Sequence, residues 1–348
     1  MTRLAIVGLL LLFKYAKAVV DGSDAETSRY PYFAVIVRPT TNSFCGGVVV
    51  HDDILLSTAH CVLMAAENRD DGLEYVVDSD DIVRNRRVVI NPSTREEFVD
   101  QDDETSGFLR ITQVLLHPSF GALDPRLHRT EHDLVAYRIN TTTPLASAVL
   151  NSDVSHPTPD QTVTVLGYGA TRRNGRDNAP VLQQSPLRVV SPALCEAWYT
   201  NLHDANLDIC AQGENGSNAC FGDSGGPLVI QGDNNREDRV VGIVVHGPEE
   251  VIDSNATELC GDPAWPEVYA RVSAYTDWVN GAICNMSQWP PASCTEEEAT
   301  SPPIDAMIPP VDAMIGEAPE ESSTTALLNI FELLPLLLLL LTTTNKVT

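Results

Sequence analysis

Short β-branched runs recur through the body of the chain, at Phe33-Ala34-Val35-Ile36-Val37, Gly47-Val48-Val49-Val50, Thr162 to Leu166 and Val240 to Val245. Each is bounded by Gly, Pro, Asn or Asp, the residues with which strands pass into turns. Helical spacing is clearest from Val272 to Ala282, where Val272, Tyr275, Trp278 and Val279 share one face. The pattern predicts an all-β body closed by a late helix. Residues 19–284 contain no linker and read as one structural unit.

Outside the body the pattern changes. Arg3 precedes an apolar run from Leu4 to Phe13, and the stretch closes on Ala16-Lys17-Ala18, an A-x-A cleavage pattern. Residues 1–18 therefore read as a signal peptide, since ten apolar residues are too few to cross a bilayer. Secretion follows. Residues 285–325 hold eight acids, seven prolines and no Lys or Arg, which makes them an acidic stalk. Within it Pro302-Pro303-Ile304-Asp305-Ala306-Met307-Ile308 is followed at once by Pro309-Pro310-Val311-Asp312-Ala313-Met314-Ile315, a seven-residue unit too short to form a solenoid. Residues 326–348 are a hydrophobic tail with a polar end. Small residues upstream of it suit a lipid-anchor signal, and the end carrying Lys346 suits a short transmembrane helix with a cytoplasmic stub. Either arrangement retains a secreted protein at the extracellular face of the membrane.

Composition narrows the function classes. The 348 residues carry 22 Lys and Arg against 48 Asp and Glu, a net charge of −26. A surface of that sign repels phosphate backbones, so nucleic-acid partners are excluded. Eight cysteines, none in a C-x-x-C pair, suit disulfides in an oxidising compartment better than a metal cluster. Acids concentrate in residues 66–106, an expected enlarged loop region with thirteen acids and five Arg, and in the loop from Gly247 to Cys260. A solvated surface, calcium binding by clustered oxygens and selection of basic substrates all remain open for these.

Candidate chemistry enters at three places. Leu56-Ser57-Thr58-Ala59-His60-Cys61 carries a histidine, Glu131-His132-Asp133-Leu134-Val135-Ala136 sets an acid at the head of an apolar run, and Cys220-Phe221-Gly222-Asp223-Ser224-Gly225-Gly226-Pro227 surrounds a serine with glycines. A hydroxyl becomes a nucleophile only when a neutral imidazole takes its proton, and a carboxylate holds that imidazole in the right tautomer. His60, Asp133 and Ser224 supply all three groups. The order His, Asp, Ser excludes the α/β-hydrolase elbow, where the acid and the histidine follow the serine.

These motifs resemble those of the trypsin-like serine proteases of the chymotrypsin fold, T-A-H-C, D-[ILV]-[AT] and G-D-S-G-G-P, over about Val19 to Ala282. The resemblance implies two six-stranded β-barrels with His60, Asp133 and Ser224 between them, and a C-terminal helix. Gly167-Tyr168-Gly169 and Pro266-Glu267-Val268-Tyr269 resemble two further family segments. The resemblance also implies an oxyanion hole at the N–H groups of Gly222 and Ser224, and disulfides Cys45–Cys61, Cys195–Cys210 and Cys220–Cys260. Cys284 and Cys294 are left to pair with each other. Val19-Val20-Asp21-Gly22 resembles the family's mature amino terminus, whose ammonium would pair with Asp223. Val19 follows Ala18 directly, so signal peptidase itself would create that terminus.

Specificity is implied by pocket positions. Asn218 stands at the pocket base in place of the acid of a strict Arg/Lys cleaver, and Glu267 replaces a wall glycine. A charged Glu267 attracts a cationic side chain, whereas a buried unpartnered one protonates and leaves a narrow polar pocket. The expected P1 preference is basic or mixed. His246 and Gly247 complete the candidate substrate-binding set, and Val245 removes a Ser hydroxyl that in the family helps hold the catalytic Asp. Sequons at Asn140, Asn215, Asn255 and Asn285 are candidate glycan sites. No metal or organic cofactor is implied, and His51, His117 and His132 read as surface or structural. The partners are protein or peptide substrates, with room for a protein inhibitor. The alternative is a catalytically silent, membrane-tethered binding module.

Overall fold

Six apolar strands of the first half are buried when their sheet rolls up on itself, which leaves no open edge. The computed structural model describes residues 19–294 apart from positions 63, 66–74, 77, 100, 102–106, 121–131, 174, 176, 200–203, 248–259 and 262–264. The signal peptide, residues 295–325 of the stalk and the tail lie outside the described residues. The first-half strands are β1 (Phe33–Arg38), β2 (Ser43–His51), β3 (Ile54–Ser57), β4 (Arg87–Ile90), β5 (Leu109–Leu116) and β6 (Val135–Ile139). They run in the order β1-β2-β3-β6-β5-β4, and β4 pairs back to β1. Phe33 to Val37 are all buried, which explains why β1 reads as an unbroken apolar run instead of an alternation.

The second half closes in the same way. Its strands are β7 (Thr162–Gly167), β8 (Gln183–Val189), β9 (Asp208–Gln212), β10 (Pro227–Ile230), β11 (Arg239–His246) and β12 (Glu267–Arg271). Their order is β8-β7-β10-β11-β12-β9, and pairing of Arg188 with Gln212 and Val189 with Ala211 joins β9 back to β8. Along β8 the alternation is plain, with Gln183, Ser185, Leu187 and Val189 buried. The two six-stranded barrels expected from the resemblance are present.

One expectation needs correction and one is refined. The acidic region 66–106 is not simply loop, because within it Ser79–Asn85 forms helix α1 and Arg87–Ile90 is barrel strand β4. Asp78 caps α1 by accepting from the Asp81 N–H, and Asp80 and Asp81 sit in its first turn, where negative charge suits the helix dipole. The late helix also starts differently. Val272–Tyr275 form a 3-10 turn and α-helical geometry runs from Thr276–Met286, here α3 after α2 (Pro192–Trp198). Its predicted face holds, since Val272, Tyr275 and Val279 are buried in the first barrel's core and Trp278 packs against it.

Four disulfides form, Cys45–Cys61, Cys195–Cys210, Cys220–Cys260 and Cys284–Cys294, which suits an extracellular protein. Beyond α3 the chain docks on the first barrel. Buried Asp53 accepts from Ser287 Oγ at 2.6 Å and from the Gln288 N–H at 2.9 Å. Another buried acid, Asp238 at the foot of β11, takes both guanidinium nitrogens of Arg29, the Tyr32 hydroxyl at 2.8 Å and the Gly232 N–H at 3.0 Å. It ties the segment leading into the first barrel to the second. Asp238→Ala leaves Arg29 and Tyr32 without their acceptor and is expected to cost ~3–5 kcal/mol of stability, readable as a lower denaturation midpoint in urea.

Candidate active site

The end of β3 turns into a short 3-10 segment, Ala59–Val62, that presents His60, while Asp133 lies two residues ahead of β6. The two residues meet at two points. The His60 backbone N–H donates to Asp133 Oδ1 at 2.8 Å, and His60 Nδ1 lies 2.6 Å from Asp133 Oδ2. Asp133 is 2% exposed, so its carboxylate faces the imidazole in a medium where charge is poorly screened. A carboxylate only accepts, which places the ring proton on Nδ1 and leaves Nε2 with a lone pair.

The turn before Asp133 is held by aromatic packing that the sequence did not reveal. His132, with φ at +54°, stacks on His117 at 4.7 Å, and both rings meet Tyr275 edge-on. Trp278 packs on His117 as well. Burial and the neighbouring His132 push the His117 pKa down to about 4, so that ring is neutral at physiological pH. The structural role expected of these two histidines is thus the support of the Asp133 turn.

Ser224 reaches the histidine loop through close backbone contact. Its carbonyl accepts from the Gly46 N–H at 2.7 Å, and a Cβ on Gly46 would fall 2.7 Å from the Gly226 backbone. Only glycine permits that approach. Cys45, next to Gly46, is bonded to Cys61, next to His60, so one disulfide fixes the histidine loop beside the serine turn. The same disulfide consumes the two sulfurs that, together with His60, would otherwise offer a metal three ligands.

Within the serine turn the backbone N–H groups divide into two sets. Those of Asp223, Gly225 and Gly226 donate to Cys220, Val244 and Asp223 carbonyls at 2.9 Å each. Among the described residues no acceptor takes the N–H of Gly222 or of Ser224. Gly222 has φ of +99°, which a side chain would strain. Two uncommitted donors beside one hydroxyl suit an anion that forms during reaction.

Asp223 is fully buried and accepts from the Gly169 and Cys220 N–H groups at 2.7 and 2.9 Å. Burial nevertheless pushes its pKa up to about 7, above the ordinary carboxylate value. Val19 is buried in the second barrel's core with φ of +50°, and the Val20 N–H donates to the Asn218 carbonyl at 3.0 Å. With Ala18 joined to it, Val19 has an amide nitrogen and no ammonium.

The specificity positions are buried too. Asn218 is completely inaccessible, and Glu267 is 4% exposed with its carboxylate in the space a Cβ on Gly247 would need. His246 is half-buried and meets Tyr199 edge-on at 5.8 Å. Of the sequons, Asn140 and Asn285 are exposed, whereas Asn255 and the Asn215 side chain lie outside the described residues.

The protein-family profile described as Trypsin matches residues 19–279. A trypsin of Phaedon cochleariae is 28% identical over 268 residues, covering 75% of this chain and 87% of that protein. Kallikrein-8 of Rattus norvegicus is 25% identical, covering 75% of this chain and 85% of that protein, and a venom serine protease of Polistes dominula is 24% identical, with 76% and 84% covered. Among solved structures, neuropsin, a serine protease expressed in the limbic system of mouse brain, superposes with a TM-score of 0.55. It is 22% identical, with 75% of this chain and 98% of that one covered.

Proposed function

The chain belongs to the trypsin family, and on that premise we propose that it is a secreted serine endopeptidase using His60, Asp133 and Ser224. Ser224 attacks the scissile carbonyl while His60 Nε2 takes its proton, and Asp133 keeps the imidazole in the tautomer that can do so. The imidazolium then protonates the leaving amine. Water, deprotonated by the same ring, releases the acyl-enzyme. The free N–H groups of Gly222 and Ser224 receive the oxyanion, an interaction typically worth ~3–4 kcal/mol per donor. The observation that carries this reading is the two-point contact of Asp133 with His60, at 2.6 and 2.8 Å. Cleavage of a peptide library by the secreted protein tests it, and cleavage that persists in Ser224→Ala contradicts it.

Further parts of the reading concern processing and location. The A-x-A pattern and the buried Val19 support cleavage by signal peptidase after Ala18 as the activating step. Amino-terminal sequencing that finds any other start rejects it. The tail supports retention at the outer face of the membrane. Release by a phosphatidylinositol-specific phospholipase marks a lipid anchor, and resistance to it marks a spanning helix.

Asp223 makes the activating step visible in stability. Its folded-state pKa of about 7 lies above the unfolded carboxylate value, so the neutral form is the one that folding favours. The associated stability is full below about pH 4 and is lost as pH rises towards 7, by roughly 4 kcal/mol at about 1.4 kcal/mol per pKa unit. A chain that keeps its leader is expected to lose thermal stability across that window. In a chain beginning at Val19 the ammonium pairs with the Asp223 carboxylate, and the loss is expected to disappear. Melting curves from pH 4 to 7 on both forms check this.

A further inference from the structure

We infer that His117 and His132 are positioning residues for Asp133 whose stack holds only while both rings are neutral, so that acid disables the endopeptidase proposed above through a proton distinct from the one His60 takes; the inference rests on that reading of the site. The backbone on both sides of Asp133 is held by this pair. The Leu134 N–H donates to the His132 carbonyl at 2.7 Å, closing a tight turn with Asp133 at its centre, and the His117 N–H donates to the Leu134 carbonyl at 3.0 Å. His132 has φ of +54°, a conformation sparsely populated by residues with a Cβ. It persists only where the surroundings fix it. Those surroundings are rings: His117 lies 4.7 Å from His132 with 6° between the planes, and Tyr275 meets both edge-on.

The stack has no place for an added proton. The Ser119 N–H donates to His117 Nδ1 at 3.2 Å, which requires a lone pair there and puts the ring proton on Nε2. A proton added to Nδ1 faces that N–H donor against donor. His132 Nδ1 is buried without a hydrogen-bond partner, and so is Nε1 of Trp278, which packs on His117 and can only donate. An imidazolium here finds no acceptor among these groups. Nor does it find an anion: Tyr275 offers a phenol, the Asp133 carboxylate is engaged by His60, and Asp277 on α3 is exposed.

The consequence is a brace that acid removes. Burial first, and His132 second, push the His117 pKa down to about 4, so folding favours the neutral ring. The stability tied to that ring is complete above about pH 6.5, the ordinary imidazole value, and is lost as pH falls towards 4. Once charged, the ring leaves the stack and the His132 turn loses its support. Asp133 then shifts from the position at which it meets His60, and a misplacement of about 1 Å costs roughly a hundredfold in rate.

The test uses the secreted protein starting at Val19. His117→Phe keeps a flat ring in the stack but cannot take a proton. With each kcat/KM profile scaled to its own value at pH 8, the native protein is expected to fall about tenfold below His117→Phe at about pH 3, one unit under the His117 pKa, and to match it above about pH 5.5. Protonation of His60 and Asp133 is common to both proteins and cancels. A second arm needs no activity. In the Ser224→Ala protein, NMR titration of isotope-labelled histidine rings should find His117 neutral down to about pH 4. Adding His132→Gly, which accepts φ of +54° and removes the stack, should move that midpoint up towards about 6.5. His132→Gly alone should lower kcat about tenfold with KM changed less than about threefold. Coincident scaled profiles, a His117 ring that titrates near the ordinary value in the intact stack, or an unchanged kcat in His132→Gly overturns the inference and leaves the endopeptidase standing. No cleavage by the native protein at any pH overturns both.

Discussion

Ser224→Ala is expected to lower kcat roughly a million-fold, to the background that the oxyanion donors and binding alone sustain. The size follows from the loss of covalent catalysis. Without the hydroxyl no acyl-enzyme forms, and the proton path through His60 has nothing to activate except water. The fold should hardly notice, because it uses the Ser224 carbonyl, which accepts from Gly46, and the alanine retains that carbonyl. Progress curves taken over hours, beside a melting curve, separate the two effects. A fall in activity matched by a fall in stability would point to a structural serine.

Asp133→Asn is expected to lower kcat roughly ten-thousand-fold with KM changed only a few-fold. The geometry explains the asymmetry. The amide oxygen can replace Oδ1 as acceptor for the His60 backbone N–H at 2.8 Å, and the NH₂ group then faces Nδ1, 2.6 Å away in the native protein. Nδ1 must now accept, so the ring proton moves to Nε2 and the base is blocked. Substrate binding uses other groups and is spared. The kcat and KM split on a single good peptide measures this directly, and a rise in KM with kcat intact would place Asp133 in binding.

The site was legible where it is local. His60 and Ser224 sit in short motifs whose glycines and cysteine have positional meaning, and the strands containing Phe33 and Val240 announce themselves by β-branched runs. Legibility ended where partners are distant or where charge hides structure. Strand β4 opens with Arg87 inside a region read as acidic loop, although Val88 is buried completely. Helix α2 has Ser191 as its cap and Pro192 at its first position, a signal that could have been read and that composition obscured. Asp53 and Asp238 look like surface acids in a chain with 48 of them. Only the fold brings Ser287 and Arg29 to them, from positions more than 200 residues away.

Covalent labelling of the secreted, Val19-starting protein with a fluorophosphonate tests the central claim most directly. The account predicts one adduct per chain, mapped by mass spectrometry to Ser224, with peptide cleavage lost in proportion to labelling and no adduct in Ser224→Ala. An unlabelled protein, or an adduct elsewhere while cleavage continues, would contradict it.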